Sequence, residues 1–480
     1  MSSDRFELLC RLTLLQQSGG TLMSLTICNI HFSQQPEQVV YASKPLIQEL
    51  QLNTSKPLII RLGQKEIKAL IKPLKRAGKH LYLSSGIREI IKVPSSGTIH
   101  LFPRDTNDIQ LGPLIGILTD VIKPGEGSPF NSRSSFVKQV IKAGHNKAYT
   151  FGFTPADINW QNKTIHGYFL NAQGTWFRRE VAFPDVIYNR LPNRKTEIGP
   201  SMTALRERFV KIGIPFFNWS FLNKADVYQF LDNDPEALLH LPESVTNPSQ
   251  EKMKSMLHQY KFIYFKPGTG SLGYGIYRIT YHQQNGYFVR YRNNGANTLL
   301  KFTSFEKMYR TLSLKHGEGL KNYVAQQGIR LIELDKCPVD FRFHMHKDIN
   351  NEWQPVGIGA KKAGRGSVTT HMKSGGTLLT PQQALQYSFG NRTHEILEKA
   401  KNVSVKISEA IERNYTHRLG ELGLDIGIDQ NGDVWMFEAN AKPGRSIFKH
   451  PELRIAGRES LNHIVEHCLY LSQFQGGGVS

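Results

Sequence analysis

Asp425-Ile-Gly-Ile-Asp-Gln-Asn-Gly-Asp-Val-Trp-Met-Phe-Glu-Ala-Asn440 is the most informative stretch of this 480-residue chain. Two alternating runs flank Asn431-Gly432, a pair that favours a two-residue hairpin turn because both central positions need left-handed backbone. Such a turn pairs Gln430 with Asp433 and, counted back along both strands, Asp425 with Glu438. Their Cβ atoms then lie about 5 Å apart on one face. Asn440 is two residues beyond Glu438, so the strand's period of two puts it on the same face. Ile426, Ile428, Trp435, Phe437 and Ala439 are expected to turn into a core. Opposed carboxylates repel, and a hard cation bound through oxygen removes that penalty. Mg²⁺ carried by a nucleotide fits; an exposed acidic hairpin is the alternative.

A second motif lies upstream. Lys266-Pro-Gly-Thr-Gly-Ser-Leu-Gly-Tyr-Gly-Ile276 follows the strand-like run Phe262-Ile-Tyr-Phe265. Its glycines let backbone N–H groups approach an anion closely, and phosphate is the natural ligand. Gly268, Gly270 and Gly273 match GxGxxG, but a dinucleotide site needs a helix directly after the loop. Here Tyr277, Ile279 and Tyr281 alternate with Arg278 and Thr280, and Asn285-Gly286 turns the chain into Tyr287-Phe-Val-Arg-Tyr291. Walker A also fails, since Ile276 follows Gly275 where lysine is required. A strand–loop–strand flap is left, suited to phosphates or to a surface hairpin without a ligand.

Around these motifs the chain divides by pattern. Residues 1–22 read as an upstream extension ahead of a second methionine, Met23, and residues 475–480 as a loose tail. Between 23 and 110, short runs such as Leu58-Ile-Ile-Arg-Leu62, His80-Leu-Tyr-Leu83 and Thr98-Ile-His-Leu-Phe102 are separated by Gly and Pro turns, the signature of a small β-rich domain. In 111–215 the apolar run Leu114–Leu118, a helical stretch Phe136–Ala143 and the strand at Tyr149-Thr-Phe151 suggest a parallel α/β unit. Asp185-Val-Ile-Tyr-Asn-Arg190 adds a strand, and Thr203–Val210 and Lys224–Leu231 read as helices. Both strong motifs fall in 216–474. Its last helix, Arg458–Phe474, has Leu461, Ile464, Cys468 and Leu471 at core spacing. The fold class is therefore mixed α+β and α/β with several domains.

Composition narrows the function. The net charge is +20, from 60 Lys+Arg against 40 Asp+Glu, and this attracts anions without saying which. The basic residues are spread along the chain, and no zinc finger, RNP-type strand or basic zipper accompanies them, so nucleic acid is not the expected partner. No run of apolar residues is long enough to span a membrane. Cys10, Cys28, Cys337 and Cys468 are far apart with no CxxC pair, which points to a reducing, cytoplasmic compartment. No nucleophile pair suggests a hydrolase triad.

The two motifs, in this order, resemble the nucleotide site of ATP-grasp enzymes. Across about residues 23–470 the chain resembles the YheC/YheD-type ATP-grasp family associated with bacterial spore coats. The carriers are Ser24-Leu-Thr-Ile-Cys-Asn-Ile-His-Phe-Ser33, Leu111-Gly-Pro-Leu-Ile-Gly-Ile-Leu118 at the start of a pre-ATP-grasp domain, and Asp185–Arg190 before a two-lobed ATP-grasp domain. The resemblance implies ATP and Mg²⁺. Lys224 and Lys266 become the nucleotide lysines, with Gly268, Gly270, Ser271 and Gly273 over the phosphates. Gln326, Gln327 and Ile329 form an inter-lobe hinge that reads adenine through backbone groups. Asp425, Glu438 and Asn440 become the metal ligands. Arg342, in Asp340-Phe-Arg342, is placed near the transferred phosphate. Gly359–Gly376 resembles the family's R…TN…GG stretch, with Lys361 where arginine is usual and His371 where asparagine is usual. Lysine keeps the charge without the bidentate fork, and His371 is as well explained by packing as by catalysis. The activity implied is an ATP-dependent carboxylate–amine ligase releasing ADP, with unidentified carboxylate and nucleophile substrates, anionic ones being favoured by the basic surface. A non-catalytic coat or assembly protein with spore-coat partners is the alternative.

Overall fold

Alternation builds the first sheet: Leu58, Ile60 and Leu62 are buried while Ile59 and Arg61 are partly exposed, as expected of a strand with one face in a core. The computed structural model describes residues 25–120, 128–268, 275–293, 296–367, 370 and 375–474, without the side chains of 224 and 225. The upstream extension, the C-terminal tail, Gly270, Ser271, Gly273, His371 and the Lys224 side chain lie outside the described residues. The chain forms two units, 1–192 with 204–216 and 468–480, and 193–203 with 217–467.

In the first unit, β1 (Thr26–Phe32), β2 (Val39–Ser43), β3 (Leu58–Leu62), β4 (Lys65–Leu74), β5 (His80–Leu83), β6 (Gly97–Asp105) and β7 (Asp108–Gly112) close into a barrel in the order β1-β5-β2-β4-β3-β7-β6. Pairing of β6 with β1 completes the ring and removes sheet edges. A second sheet holds β8 (Leu114–Leu118), β9 (Tyr149–Phe153), β10 (Ile158–Asn159), β11 (Thr164–Leu170), β12 (Trp176–Ala182), β13 (Val186–Asn189) and β14 (Phe216–Phe217). Its order is β10-β11-β9-β8-β13-β14, with β12 on β11. β8 pairs in parallel with both β9 and β13, and the helix Ser134–Ala143 crosses between β8 and β9 on its buried Phe136, Val137 and Val140. This is the strand–helix–strand unit expected from the run of patterns in 111–215.

The second unit has two sheets. β15 (Ser244–Thr246), β16 (Phe262–Pro267), β17 (Tyr277–His282), β18 (Gly286–Asn293), β19 (Ala296–Phe302) and β20 (Tyr323–Gln327) lie in the order β15-β20-β16-β17-β18-β19. Helices Gln250–Tyr260 and Phe305–His316 pack on it through Met253, Met256, Leu257, Phe305, Met308 and Leu312. The other sheet contains β21 (Glu333–Leu334), β22 (Cys337–Lys347), β23 (Trp353–Lys362), β24 (Thr377–Leu379), β25 (Glu421–Ile428) and β26 (Val434–Asn440), in the order β24-β23-β22-β25-β26 with β21 on β22. One face is covered by the helix Thr393–Asn414, whose Ile396, Ala400, Ile407 and Ile411 meet Phe341, Phe343, Leu424 and Ile426. The opposite face is left for chemistry.

Candidate functional site

That opposite face is read off the register. Asp340 and Arg342 on β22 stand beside Lys361 and Gly359 on β23, and beside Gly427 and Asp425 on β25. Asp425 in turn pairs with Glu438 on β26, and Gly423 with Asn440. The three oxygen-bearing side chains expected together are thus neighbours, though the route differs from the sequence reading. The turn is longer by one residue: Gly432 N–H donates to Asp429 O at 3.0 Å, and Asp429 N–H to Asp433 O at 3.0 Å. Gly432, at φ +91°, takes the left-handed position that closes such a loop. The register near the turn is therefore shifted by one, with Gly427 opposite Trp435. An irregularity between Asp425 and Ile426 inserts the extra residue and restores Asp425 to Glu438.

The same bulge corrects the facing of the aromatic side chains. Val434, Met436 and Ala439 are the buried core residues of β26, while Trp435 and Phe437 are only half-buried. Because the bulge places successive residues 437 and 438 on one side, Phe437 lies over Gly427, where an added Cβ would be 2.6 Å from its ring. Trp435 donates from Nε1 to Asp429 Oδ2 at 3.0 Å.

Asp425 is not left facing a like charge. Arg342 clamps it through Nε to Oδ1 and Nη2 to Oδ2, both at 2.8 Å, and Lys361 Nζ reaches Oδ1 at 3.1 Å. Burial works to raise the pKa of this carboxyl, but Arg342 and Lys361 together outweigh it and hold it at about 2. Asp340 is the counterpart: burial pushes its pKa up, Lys361 at 3.7 Å opposes that, and the Asp425 charge adds to it. Thr370 donates its hydroxyl to Asp340 Oδ2. Lys361 thus serves as a point charge shared between two acids, a role that needs no guanidinium fork. Space for the clamp comes from Gly423, where a Cβ would stand 2.9 Å from Arg342 Nη1 and closer still to Pro443.

Next to this face lies a 540 Å³ cavity whose lining includes Tyr228, Ser244, Lys266, Gly268, Val324 and Gln326. Lys266 Nζ donates to Gln326 Oε1 at 2.8 Å, and Gln326 Nε2 donates to Tyr228 Oη at 2.6 Å and to Ser244 Oγ at 2.9 Å. Burial raises the Tyr228 phenol to about 12, with the nearby Glu438 charge adding to the effect. The cavity and the acidic hairpin are therefore electrostatic neighbours. Volume, an apolar wall and few convergent polar groups suit a small organic ligand.

The hinge expectation divides. Gln326 and Gln327 belong to the strand β20 and do not follow it: Gln326 faces the cavity, whereas Gln327 exchanges its N–H for Glu243 O at 2.8 Å and accepts from Glu243 N–H at 3.1 Å. Ile329 is buried and lines a different cavity with Lys261, Arg278 and Leu331. Gly268 gives its N–H to Asn322 O at 2.7 Å, so that donor is already used within the backbone. Tyr228, Ser244 and Thr370 carry polar contacts that sequence reading missed. Tyr228 had a signal, since it lies one helical turn beyond Lys224 in the helix Lys224–Asp232.

Asp425, Glu438 and Asn440 offer only oxygen and are each partly exposed, which fits a hard cation such as Mg²⁺. Positive charge at Lys266, Arg342 and Lys361 fits a polyphosphate.

Comparison with known proteins gives the family. The family profile described as YheC/D-like ATP-grasp matches residues 213–471. The endospore coat-associated protein YheD of Bacillus subtilis (strain 168) is 32% identical over 415 residues, covering 86% of this chain and 90% of that protein. The endospore coat-associated protein YheC of the same organism is 24% identical over 305 residues, covering 61% and 80%. Among solved structures, the VanG D-Ala:D-Ser ligase from Enterococcus faecalis aligns with a TM-score of 0.42 and 13% identity, over 75% of this chain and 99% of that one.

Proposed function

This chain belongs to the YheC/D-like ATP-grasp family, and from that premise we propose that it binds Mg-ATP in its second unit and uses it to activate a carboxylate for ligation. The observation that carries the reading is the side-by-side placement of a half-buried cationic pair, Arg342 and Lys361, with the oxygen set Asp425, Glu438 and Asn440 and the Lys266 cavity. Glu438, Asn440 and Asp425 would hold the metal, which when bound supplies positive charge to the terminal phosphates. Lys266 would exchange Gln326 for phosphate oxygens. Tyr228, Ser244 and Gln326 give the cavity its few oriented polar groups.

In the transfer step a carboxylate oxygen forms a bond to the γ-phosphorus as the bond to the β-bridging oxygen breaks, giving ADP and an acyl phosphate. An amine or related nucleophile then attacks the acyl carbon, and phosphate leaves. Arg342 and Lys361 are positioned to offset charge on the moving phosphoryl group, the contribution expected to dominate such a reaction. The +20 net charge favours an anionic donor such as an acidic amino acid or peptide.

Product analysis tests this. Purified protein given Mg-ATP, ¹⁸O-labelled carboxylates and amines should release ADP and labelled phosphate only when a carboxylate is present. AMP and pyrophosphate, or ADP release indifferent to every carboxylate, would remove the ligase reading. A second reading, in which the fold serves spore-coat assembly without catalysis, is favoured by the endospore coat-associated names of both relatives and by the closed Arg342–Asp425 clamp. Nucleotide binding without turnover is its expected outcome.

A further inference from the structure

The chemical face of β22 does not end at Arg342. Two and four residues on, at the same pleat, stand His344 and His346, and across from them on β25 is Glu421, paired with His346. All three side chains are fully buried. One nitrogen from each ring and one carboxylate oxygen lie within 4.8 Å of one another.

The His344 ring shows what this cluster is suited to. Its Nε2 lies 3.2 Å from Gly444 O, and because a carbonyl only accepts, Nε2 carries the hydrogen. Nδ1 therefore holds the lone pair, is buried, and has no hydrogen-bond partner among the described residues. Leaving such an acceptor unsatisfied costs its full desolvation. A backbone carbonyl that fixes the tautomer of one ring nitrogen while the other keeps its lone pair is the usual outer support of a metal-bound histidine.

We propose that His344, His346 and Glu421 form a second metal site, separate from the nucleotide's Mg²⁺, that takes a first-row divalent cation of the Zn²⁺ type. Two imidazoles and one carboxylate suit Zn²⁺, whereas Mg²⁺ demands oxygen ligands and keeps its waters. Bonds of about 2.0–2.1 Å place tetrahedral ligands roughly 3.3 Å apart, so the three groups must draw together by rotation of their side chains. His463 faces His346 with ring centroids 6.4 Å apart and has Nδ1 3.2 Å from Glu466 Oε2, which makes it a candidate for the fourth position. Arg342 and Arg445 are the nearby cations that oppose a metal here, and Asp425 already neutralises the first. A bound ion would pin β22 to β25 beside Arg342 and Asp425, bracing the clamp from behind.

Cobalt is the probe. Full-length protein stripped with chelator and titrated with Co²⁺ in excess Mg²⁺ should bind one equivalent with the strong visible bands of four-coordinate cobalt, and Zn²⁺ should bleach them. His346→Gln and Glu421→Gln should each weaken binding at least tenfold, whereas Glu438→Gln, at the oxygen site, should leave the bands in place. Wild-type protein with no stoichiometric bands overturns the proposal even if the variants fail to fold. So do bands that survive both substitutions, or bands lost in Glu438→Gln.

Discussion

At the scale of single residues, Asp425 shows how a charge balance decides the sign of a mutation. Considered with Glu438 alone, it belongs to a repulsive pair whose neutralisation should help the metal-free protein. With Arg342 and Lys361 in contact, it is the anion that two half-buried cations require. Its folded pKa of about 2 lies below the ordinary 3.8. A depressed acid stabilises the fold above its unfolded value, and that contribution, on the order of 2 kcal/mol, is lost as pH falls from about 4 to about 2. Asp425→Asn should therefore destabilise the metal-free protein at pH 7 by about 2–5 kcal/mol, the upper end reflecting stranded cations. It should also flatten the loss of stability between pH 4 and pH 2. Urea unfolding at pH 7 and pH 3 checks both, and an apo-protein stabilised by the change would show that repulsion from Glu438 dominates.

At the scale of elements, the site depends on strands whose side chains stop short. Gly423 in β25 gives Arg342 room to lie flat against Asp425, and its neighbour across the strand pair is Asn440. Gly423→Ala should cost about 1–3 kcal/mol through overpacking against Pro443 and the guanidinium. The specific part is electrostatic: a displaced Arg342 lets the Asp425 pKa rise toward its unfolded value, so the variant should lose less stability than the parent between pH 4 and pH 2. Thermal melts across pH 2–7 read this, and an unchanged acid limb would mean that the clamp tolerates a methyl group. The bulge at Phe437 acts at this scale too, since it returns Glu438 to Asp425 after a three-residue turn has moved the register.

At the scale of the whole molecule, the chain has two units with separate cores, and every described residue of the candidate site lies in the second. A ligand stabilises only what binds it, by about 2.7 kcal/mol when present at 100 times its dissociation constant. Mg-ATP should therefore raise the calorimetric transition of the second unit and leave that of the barrel unit in place, and Lys266→Ala should abolish the shift. A shift confined to the other transition, or an undiminished one in Lys266→Ala, would place nucleotide elsewhere. The net charge works at this scale as a field that concentrates anions, screened as salt is added.

Patterns of period two, short apolar runs and the positions of Gly and Pro were enough to mark β3, β5, β8, β16, β17, β25 and β26, because burial on one face imposes alternation on the sequence and burial on both faces, as in β8, imposes a run. They also identified the oxygen set, since Asp425, Glu438 and Asn440 are close along one hairpin and local register relates them. The same local counting misjudged the turn and sent Trp435 and Phe437 into the core: a bulge costs one residue anywhere along a strand, and nothing in a single sequence marks where. Tertiary structure alone could bring Arg342 and Lys361, from two other strands, onto Asp425, set Gln326 between Lys266 and Tyr228, and separate Ile329 from that cavity. Those relations depend on which strands become neighbours, which is decided by the packing of cores contributed from the whole length of the unit and not by any pattern within one segment.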